Sequence, residues 1–255
     1  MLMLAMAVLA VVVFIALFRF KAGYGFLRGG GWGPQIGNRA AWVLMELPAF
    51  ATVLFLLIKY LAGPQPAGVP AAPLVVMASL FLLHYFQRTF IFPLLLRGHS
   101  RMPVAIMAMG MIFNFINGFL IGGWLFVYAP ANGVYDSGWL LDPRFITGTL
   151  IFFAGMFINM QSDHIIRHLR KPGDTAHYIP TKGMFRYVTS ANYFGEITEW
   201  VGYAILTWSP AGALFAIWTI ANLAPRSKSL TEKYIEEFGD EYTKLNKKNL
   251  IPYVW

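Results

Sequence analysis

The sequence predicts an all-α integral membrane protein with seven transmembrane helices, N-terminus outside and C-terminus cytoplasmic. Three observations carry that expectation. Hydrophobic residues make up 57% of the chain and charged ones 13%, with a mean hydropathy of +0.55, too apolar for a soluble domain. Apolar runs near the ~20 residues that cross a bilayer as a helix recur along the chain, parted by polar loops. The loops alternate in charge: those after the first, third and fifth runs, and the tail, are basic, while the others are neutral or acidic. Lys and Arg collect on the cytoplasmic side, so this alternation sets the orientation. It also accounts for the net charge of +8, and no nucleic-acid partner is expected. Cysteine is absent, which excludes disulfides and thiolate-bound metal centres.

The elements follow in order. Met1 to Phe18 is an apolar run with no basic lead and no small-residue cleavage site before Arg19, and reads as a retained first span. The basic loop to Arg39 holds Gly29, Gly30, Gly31 and Gly33; without a preceding strand it lacks the context of a phosphate loop and reads as a flexible connector. Span two, about 40–61, contains Glu46 followed by Pro48. The uncharged segment Gly63 to Pro73 is expected to be extended. Span three, about 74–96, contains His84, Tyr85 and Arg88, and a basic loop with Arg97, His99 and Arg101 follows. Span four, about 102–128, contains Asn114 and Asn117. Spans five, six and seven cover about 145–166, 190–207 and 211–224. From Pro225 the tail mixes six basic and five acidic residues and reads as a surface helix ending in Leu250-Ile251-Pro252-Tyr253-Val254-Trp255. One membrane domain, 1–255, accounts for the whole.

Polar residues concentrate in Asn159 to Trp200, with two Asn, four acids, five Lys or Arg and three His. Such groups are costly in a membrane and mark function or a cytoplasmic loop. Asn159, Asp163, Arg167 and Arg170 fall at i, i+4, i+8 and i+11, one helical face. Asn192, Glu196, Glu199, Trp200 and Tyr203 share another. Two such walls suit a large polar ligand, and Arg170, Lys171, Lys182 and Arg186 between them suit a pyrophosphate. A structural hydrogen-bond cluster between helices and purely topogenic loop charge remain open. A second group is Glu46, Tyr85 and Arg88. A span glutamate must be protonated or paired, and a tyrosine hydroxyl beside a protonated carboxyl makes a pair that polarises a ketone. A buried Glu46–Arg88 ion pair is the alternative. His164 and His168 stand at i, i+4 without a third ligand at fitting spacing, and no metal site is expected.

The stretches AWVLMELPAF, HYFQRTFIFPLLLRG, GMFINMQSDHIIRHLRKPG, YVTSANYFGEITEWVGYA and LIPYVW resemble the steroid 5-alpha-reductase family, from about Gly23 onward, in order and at family spacing. The resemblance implies a seven-helix membrane fold, NADPH as hydride donor, and reduction of the Δ4 double bond of a 3-oxo steroid. It implies that Glu46 and Tyr85 are catalytic, hydrogen-bonding the 3-oxo group. It assigns Asn159, Asp163, Arg170, Lys171, Asn192, Glu196, Arg226 and Tyr234 to the cofactor, and Trp42, Arg88, Met109 and Trp200 to the substrate. Residues 1–100 then serve mainly the steroid and 155–255 mainly NADPH. The implied protein is a bacterial-type member, a monomer in a bacterial inner membrane or endoplasmic reticulum. Its cofactor site faces the cytoplasm, and its apolar substrate enters from the lipid. Departures from the family pattern fall at Met45, Met109, Ser229 and Leu230. The alternatives are reduction of another enone, as in membrane reductases of enoyl-CoA or sterols, and a non-catalytic membrane lipid-binding protein.

Overall fold

The computed structural model describes residues 1–20, 27, 32–64, 68–98, 100–171, 174 and 176–255. Gly29 to Gly31 and His99 lie outside the described residues. The described chain is helical almost throughout. Its helices are α1 (Leu2–Leu17), α2 (Asn38–Ala62), α3 (Ala71–Leu95), α4 (Val104–Ala131), α5 (Pro143–Arg167), α6 (Ala191–Thr207), α7 (Pro210–Phe238) and α8 (Asp240–Thr243). Two short strands, β1 (Gln35–Gly37) and β2 (Arg101–Pro103), are also present.

Four helices among the described residues, α2 to α5, are long and apolar enough to cross a membrane. Helix α1 has 16 residues and α6 has 17. The stretch expected to hold a seventh span and a separate tail helix is one continuous helix of 29 residues. Pro225 does not break it, because a proline removes one helical hydrogen bond and the flanking side chains from Leu223 to Ser227 are buried enough to hold the helix together. The segment from Gly63 is also shorter than expected: α3 begins at Ala71 with Pro70 as its extended cap, because Pro73 falls in the first turn, where no donor is needed.

The chain forms two compact units, one of Met1–Gly30, Ile151–Gly202 and Ala216–Trp255, the other of Gly31–Leu150 and Tyr203–Phe215. In the second unit, β1 and β2 pair antiparallel, Ile36 opposite Met102. Arg39 extends the tie by donating Nη2–H to the Leu96 carbonyl at 2.6 Å. This tie brings the starts of α2 and α4 together. The two helices then pack along a glycine stripe: an added Cβ on Gly118 would stand 3.1 Å from the Ala49 Cα, and one on Gly110 or Gly122 would meet Met45 or Leu56. Small residues let membrane helices approach this closely. Helix α3 carries a π-helical turn over Gln87–Ile91, which buries Gln87, Arg88 and Thr89. Such turns add a residue to the helical circuit and re-aim the side chains beyond it.

In the first unit, α5 and α6 cross backbone to backbone at Gly155 and Gly195. A Cβ on Gly155 would lie 2.6 Å from both the Glu199 Cα and the Gly195 carbonyl oxygen. The C-terminal turn is laced to the segment before α6, where Thr189 and Ser190 donate their N–H groups to the carbonyls of Lys248 and Asn249 at 2.8 and 3.2 Å.

Candidate functional site

In the unit that holds Glu46 and Tyr85, the two side chains meet through a third. Tyr85 is buried at 3% exposure on α3, its ring against Phe81 at 4.7 Å and His84 at 5.1 Å. Its hydroxyl donates to Asn114 Oδ1 at 3.1 Å. Asn114 Nδ2 donates to Glu46 Oε2 at 3.1 Å and to the Met45 carbonyl at 2.7 Å. The expected hydroxyl–carboxyl pair is therefore bridged by an α4 asparagine. Sequence reading placed Asn114 only as a polar residue in a span. Its spacing of four residues from both Gly110 and Gly118 was the available signal, since it puts all three on one face.

Arg88 is buried, and its guanidinium stacks over Phe92 at 4.4 Å and Trp42 at 5.1 Å. The Trp42 and Phe92 rings meet edge to face at 5.1 Å. A cation over aromatic faces is held by the ring quadrupoles, so Trp42 and Arg88 form one rigid wall. Met109 sits on α4 and is 52% exposed.

In the other unit, Asn159 is buried at 2% exposure and donates Nδ2–H to the Asn192 carbonyl at 2.9 Å and to Glu196 Oε2 at 3.4 Å. Asn192 Nδ2 reaches Asp163 Oδ1 at 3.5 Å. The two predicted faces of α5 and α6 thus meet over these four residues. Trp200 is fully buried, edge to face with Phe152 at 6.4 Å. Arg170 does not continue the α5 face, because the helix ends at Arg167 and the exposed Arg170 follows in a bend. Its charge nonetheless bears on the Asp174 carboxyl and the Tyr178 and Tyr234 hydroxyls. Burial pushes the Tyr234 hydroxyl up, and its ring stacks on Tyr242 at 5.2 Å. Arg226, buried on α7, donates Nε–H to the Tyr193 hydroxyl at 2.6 Å. Lys171 is exposed. His164 and His168 stack at 4.0 Å where α5 ends.

The NADPH that the family resemblance implies would need a polar wall with spare hydrogen-bonding capacity and cations for its phosphates. The residues fit. Among the described residues, Ser162 Oγ and Ser190 Oγ are buried without a hydrogen-bond partner, one beside Asp163 and the other two residues before Asn192. A buried polar atom left unsatisfied costs roughly 1–3 kcal/mol, which a polar ligand would offset. Arg170, Lys171 and Arg226 supply positive charge on the same unit. A separate apolar cavity of about 600 Å³, lined by Phe14, Phe18, Ile197, Lys228, Leu250 and Trp255 among others, includes none of the predicted site residues.

Lys247 adds a measurable pH signature near the C-terminal turn. Its ammonium donates to the Pro180 carbonyl, and burial pulls its pKa from 10.5 down to about 8. Below pH 8 both folded and unfolded chains carry the charge, and the burial cost is fully present. Between about 8 and 10.5 only the unfolded chain keeps the proton, so folding gains stability as pH rises. Melting midpoints of wild type should therefore rise relative to Lys247→Met across that window. A difference constant with pH would show that the ammonium is not desolvated.

Comparison with known proteins gives a consistent result. The family model described as 3-oxo-5-alpha-steroid 4-dehydrogenase matches residues 100–255. The 3-oxo-5-alpha-steroid 4-dehydrogenase 1 of Macaca fascicularis is 43% identical over 221 residues, 87% of this chain and 80% of that protein. The human 3-oxo-5-alpha-steroid 4-dehydrogenase 2 is 42% identical over 221 residues, 87% of this chain and 82% of its own. The steroid 5-alpha-reductase DET2 of Gossypium hirsutum is 37% identical over 257 residues, 99% of this chain and 96% of its own.

Proposed function

Because the chain belongs to the 3-oxo-5-alpha-steroid 4-dehydrogenase family, the steroid 5-alpha-reductases, we propose that it reduces the Δ4 double bond of 3-oxo steroids with NADPH in a membrane. The observation that carries the reading is the hydrogen-bonded Tyr85–Asn114–Glu46 chain, with Tyr85 and Asn114 buried and Glu46 half-buried. It supports the reading because a tyrosine hydroxyl and a carboxyl linked through one amide on apolar helices can act together on a carbonyl oxygen.

The cofactor, when bound, supplies the hydride. The residues supply the rest. Tyr85 and a protonated Glu46 donate hydrogen bonds to the 3-oxo oxygen and hold them as negative charge gathers there, while hydride arrives at the β-carbon. A proton taken up at the α-carbon completes the reduction. Donors fixed in a water-excluded site stabilise such an oxyanion by roughly 3–4 kcal/mol each. Trp42 and Arg88 brace the substrate side, with Trp200 and Met109 as further substrate positions. Asn159, Asp163, Asn192 and Glu196 hold the nicotinamide end, and Arg170, Lys171 and Arg226 meet the phosphates, with Tyr234 at the same end.

The topology proposed with this reading has seven spans: the four long apolar helices, with α1, α6 and the first half of α7 as the others. The N-terminus is outside, the C-terminus and cofactor side are cytoplasmic, and the steroid enters from lipid into a monomer of a bacterial inner membrane or endoplasmic reticulum. The expected result with purified protein, NADPH and a panel of Δ4-3-ketosteroids is NADPH oxidation matched by a product heavier by one hydrogen molecule. Glu46→Gln keeps a donor and should lose less activity than Glu46→Ala. If no enone in the panel drew on NADPH, the reading would be wrong.

A further inference from the structure

We propose that Asn114 is a positioning residue that decides which oxygen of Glu46 carries the proton and where the Tyr85 hydroxyl stands. This rests on the reading of Glu46 and Tyr85 as the two donors to the carbonyl. The argument starts from the amide itself. Its nitrogen and oxygen look alike in shape and are told apart by their partners. Nδ2 lies 2.7 Å from the Met45 carbonyl, which can only accept, so that end is the NH2 group. Its second hydrogen meets Glu46 Oε2 at 3.1 Å, which makes Oε2 an acceptor. The carbonyl oxygen of a neutral carboxyl is its better acceptor, so this bond favours the proton of Glu46 on Oε1.

The opposite end of the amide only accepts, so Tyr85 must be the donor in its 3.1 Å contact with Oδ1. That distance is long for an O–H···O bond, whose usual length is about 2.7–2.8 Å. The contact holds the hydroxyl in place, yet it gives way readily to a substrate oxygen that gains charge. Asn114 is 5% exposed, so water does not compete for either end.

The backbone explains why an asparagine, and no longer amide, can do this. Gly110, Asn114 and Gly118 stand four residues apart on the α4 face that meets α2. An added Cβ at Gly110 would run into the Met45 side chain, and one at Gly118 would stand 3.1 Å from Ala49 Cα. The two glycines fix the helix separation on either side of Asn114. At that separation its short side chain reaches both the Met45 carbonyl and Glu46, whereas a glutamine would be one methylene too long.

The test uses the full-length protein with NADPH and a Δ4-3-ketosteroid. Asn114→Leu keeps the branched shape, though larger, and removes both hydrogen-bonding ends. Asn114→Asp keeps the shape and the acceptor facing Tyr85 but loses the NH2 donors to Glu46 and to the Met45 carbonyl, and serves where Leu fails to pack. Both should lower kcat by about 10- to 100-fold, the rate equivalent of one or two mis-set hydrogen bonds, with the KM for NADPH unchanged. In a Tyr85→Phe, Glu46→Ala background the same substitution should cost less than about threefold, because the donors it positions are gone. A purely structural role would multiply the losses instead. The proposal is overturned if Asn114→Asp turns over within about threefold of wild type, if its loss multiplies with the double variant, or if it falls on the KM for NADPH. Should Tyr85→Phe and Glu46→Ala themselves keep wild-type turnover, the underlying assignment of the carbonyl donors fails, and the position of Asn114 loses its premise.

Discussion

Tyr85→Phe should lower turnover of a Δ4-3-ketosteroid by about 100- to 1,000-fold, the usual cost of one oxyanion donor in a dry site, while NADPH binding stays as in wild type. The substitution is clean because the ring is retained. Its contacts with Phe81 at 4.7 Å and His84 at 5.1 Å need no hydroxyl, so the packing should hold. Only the donor is lost, together with its bond to Asn114. The acceptor left at Asn114 Oδ1 is a neutral amide oxygen, and leaving it unsatisfied costs roughly 1–3 kcal/mol, less than a mis-set charge would. The residues assigned to the cofactor belong to the other compact unit, and Tyr85 is assigned to the carbonyl alone, so kcat rather than the KM for NADPH should carry the effect. Turnover at the wild-type rate would remove Tyr85 from the carbonyl site.

How much of this was legible in the sequence depends on how local each feature is. The long apolar runs of α2 to α5 follow from composition and length, which a single segment carries by itself. So does the meeting of Asn159 with Asn192 and Glu196, because helical periodicity already put each set on one face. Arg170 was misplaced for an equally local reason. The i+11 spacing assumes that the helix continues, whereas α5 ends at Arg167, and no capping signal short of the proline at 172 marks that end. The strand pair between Gln35–Gly37 and Arg101–Pro103 joins segments far apart in the chain and leaves no periodic trace in runs of three residues. The π-helical turn at Gln87–Ile91 is likewise a response to packing rather than a pattern in composition. Asn114 lies between these cases. Its polarity was visible, but the partners that give it meaning are set by the approach of α2 and α4, which only the flanking glycines hinted at.

The crossing of α5 and α6 gives the second large expected effect. Gly155→Ala and Gly195→Ala should each lower NADPH affinity by more than about tenfold and lower the melting midpoint, because overpacking of this kind typically costs about 1–3 kcal/mol. An alanine methyl at Gly155 would stand 2.6 Å from Glu199 Cα and the Gly195 carbonyl, and one at Gly195 would stand 2.8 Å from the Gly155 carbonyl and 2.9 Å from Asn159 Cα. These neighbours are backbone, so no side-chain rotation relieves the clash, and the helices must separate. Asn159 is one turn from Gly155 on the same face. Its contact with Glu196 at 3.4 Å is already near the limit of a hydrogen bond and its bond to the Asn192 carbonyl at 2.9 Å crosses the same helix pair, so separating the helices disrupts the wall proposed to hold the nicotinamide end. Gly123→Ala is the matched control, a helical glycine whose added methyl meets nothing within 4 Å; it should leave affinity unchanged and stabilise slightly by stiffening the unfolded chain. Titration of NADPH by fluorescence on the three variants separates the outcomes. Wild-type affinity in Gly155→Ala would mean that the close crossing does not position the cofactor wall, and that Asn159 is held by something other than the approach of these two helices.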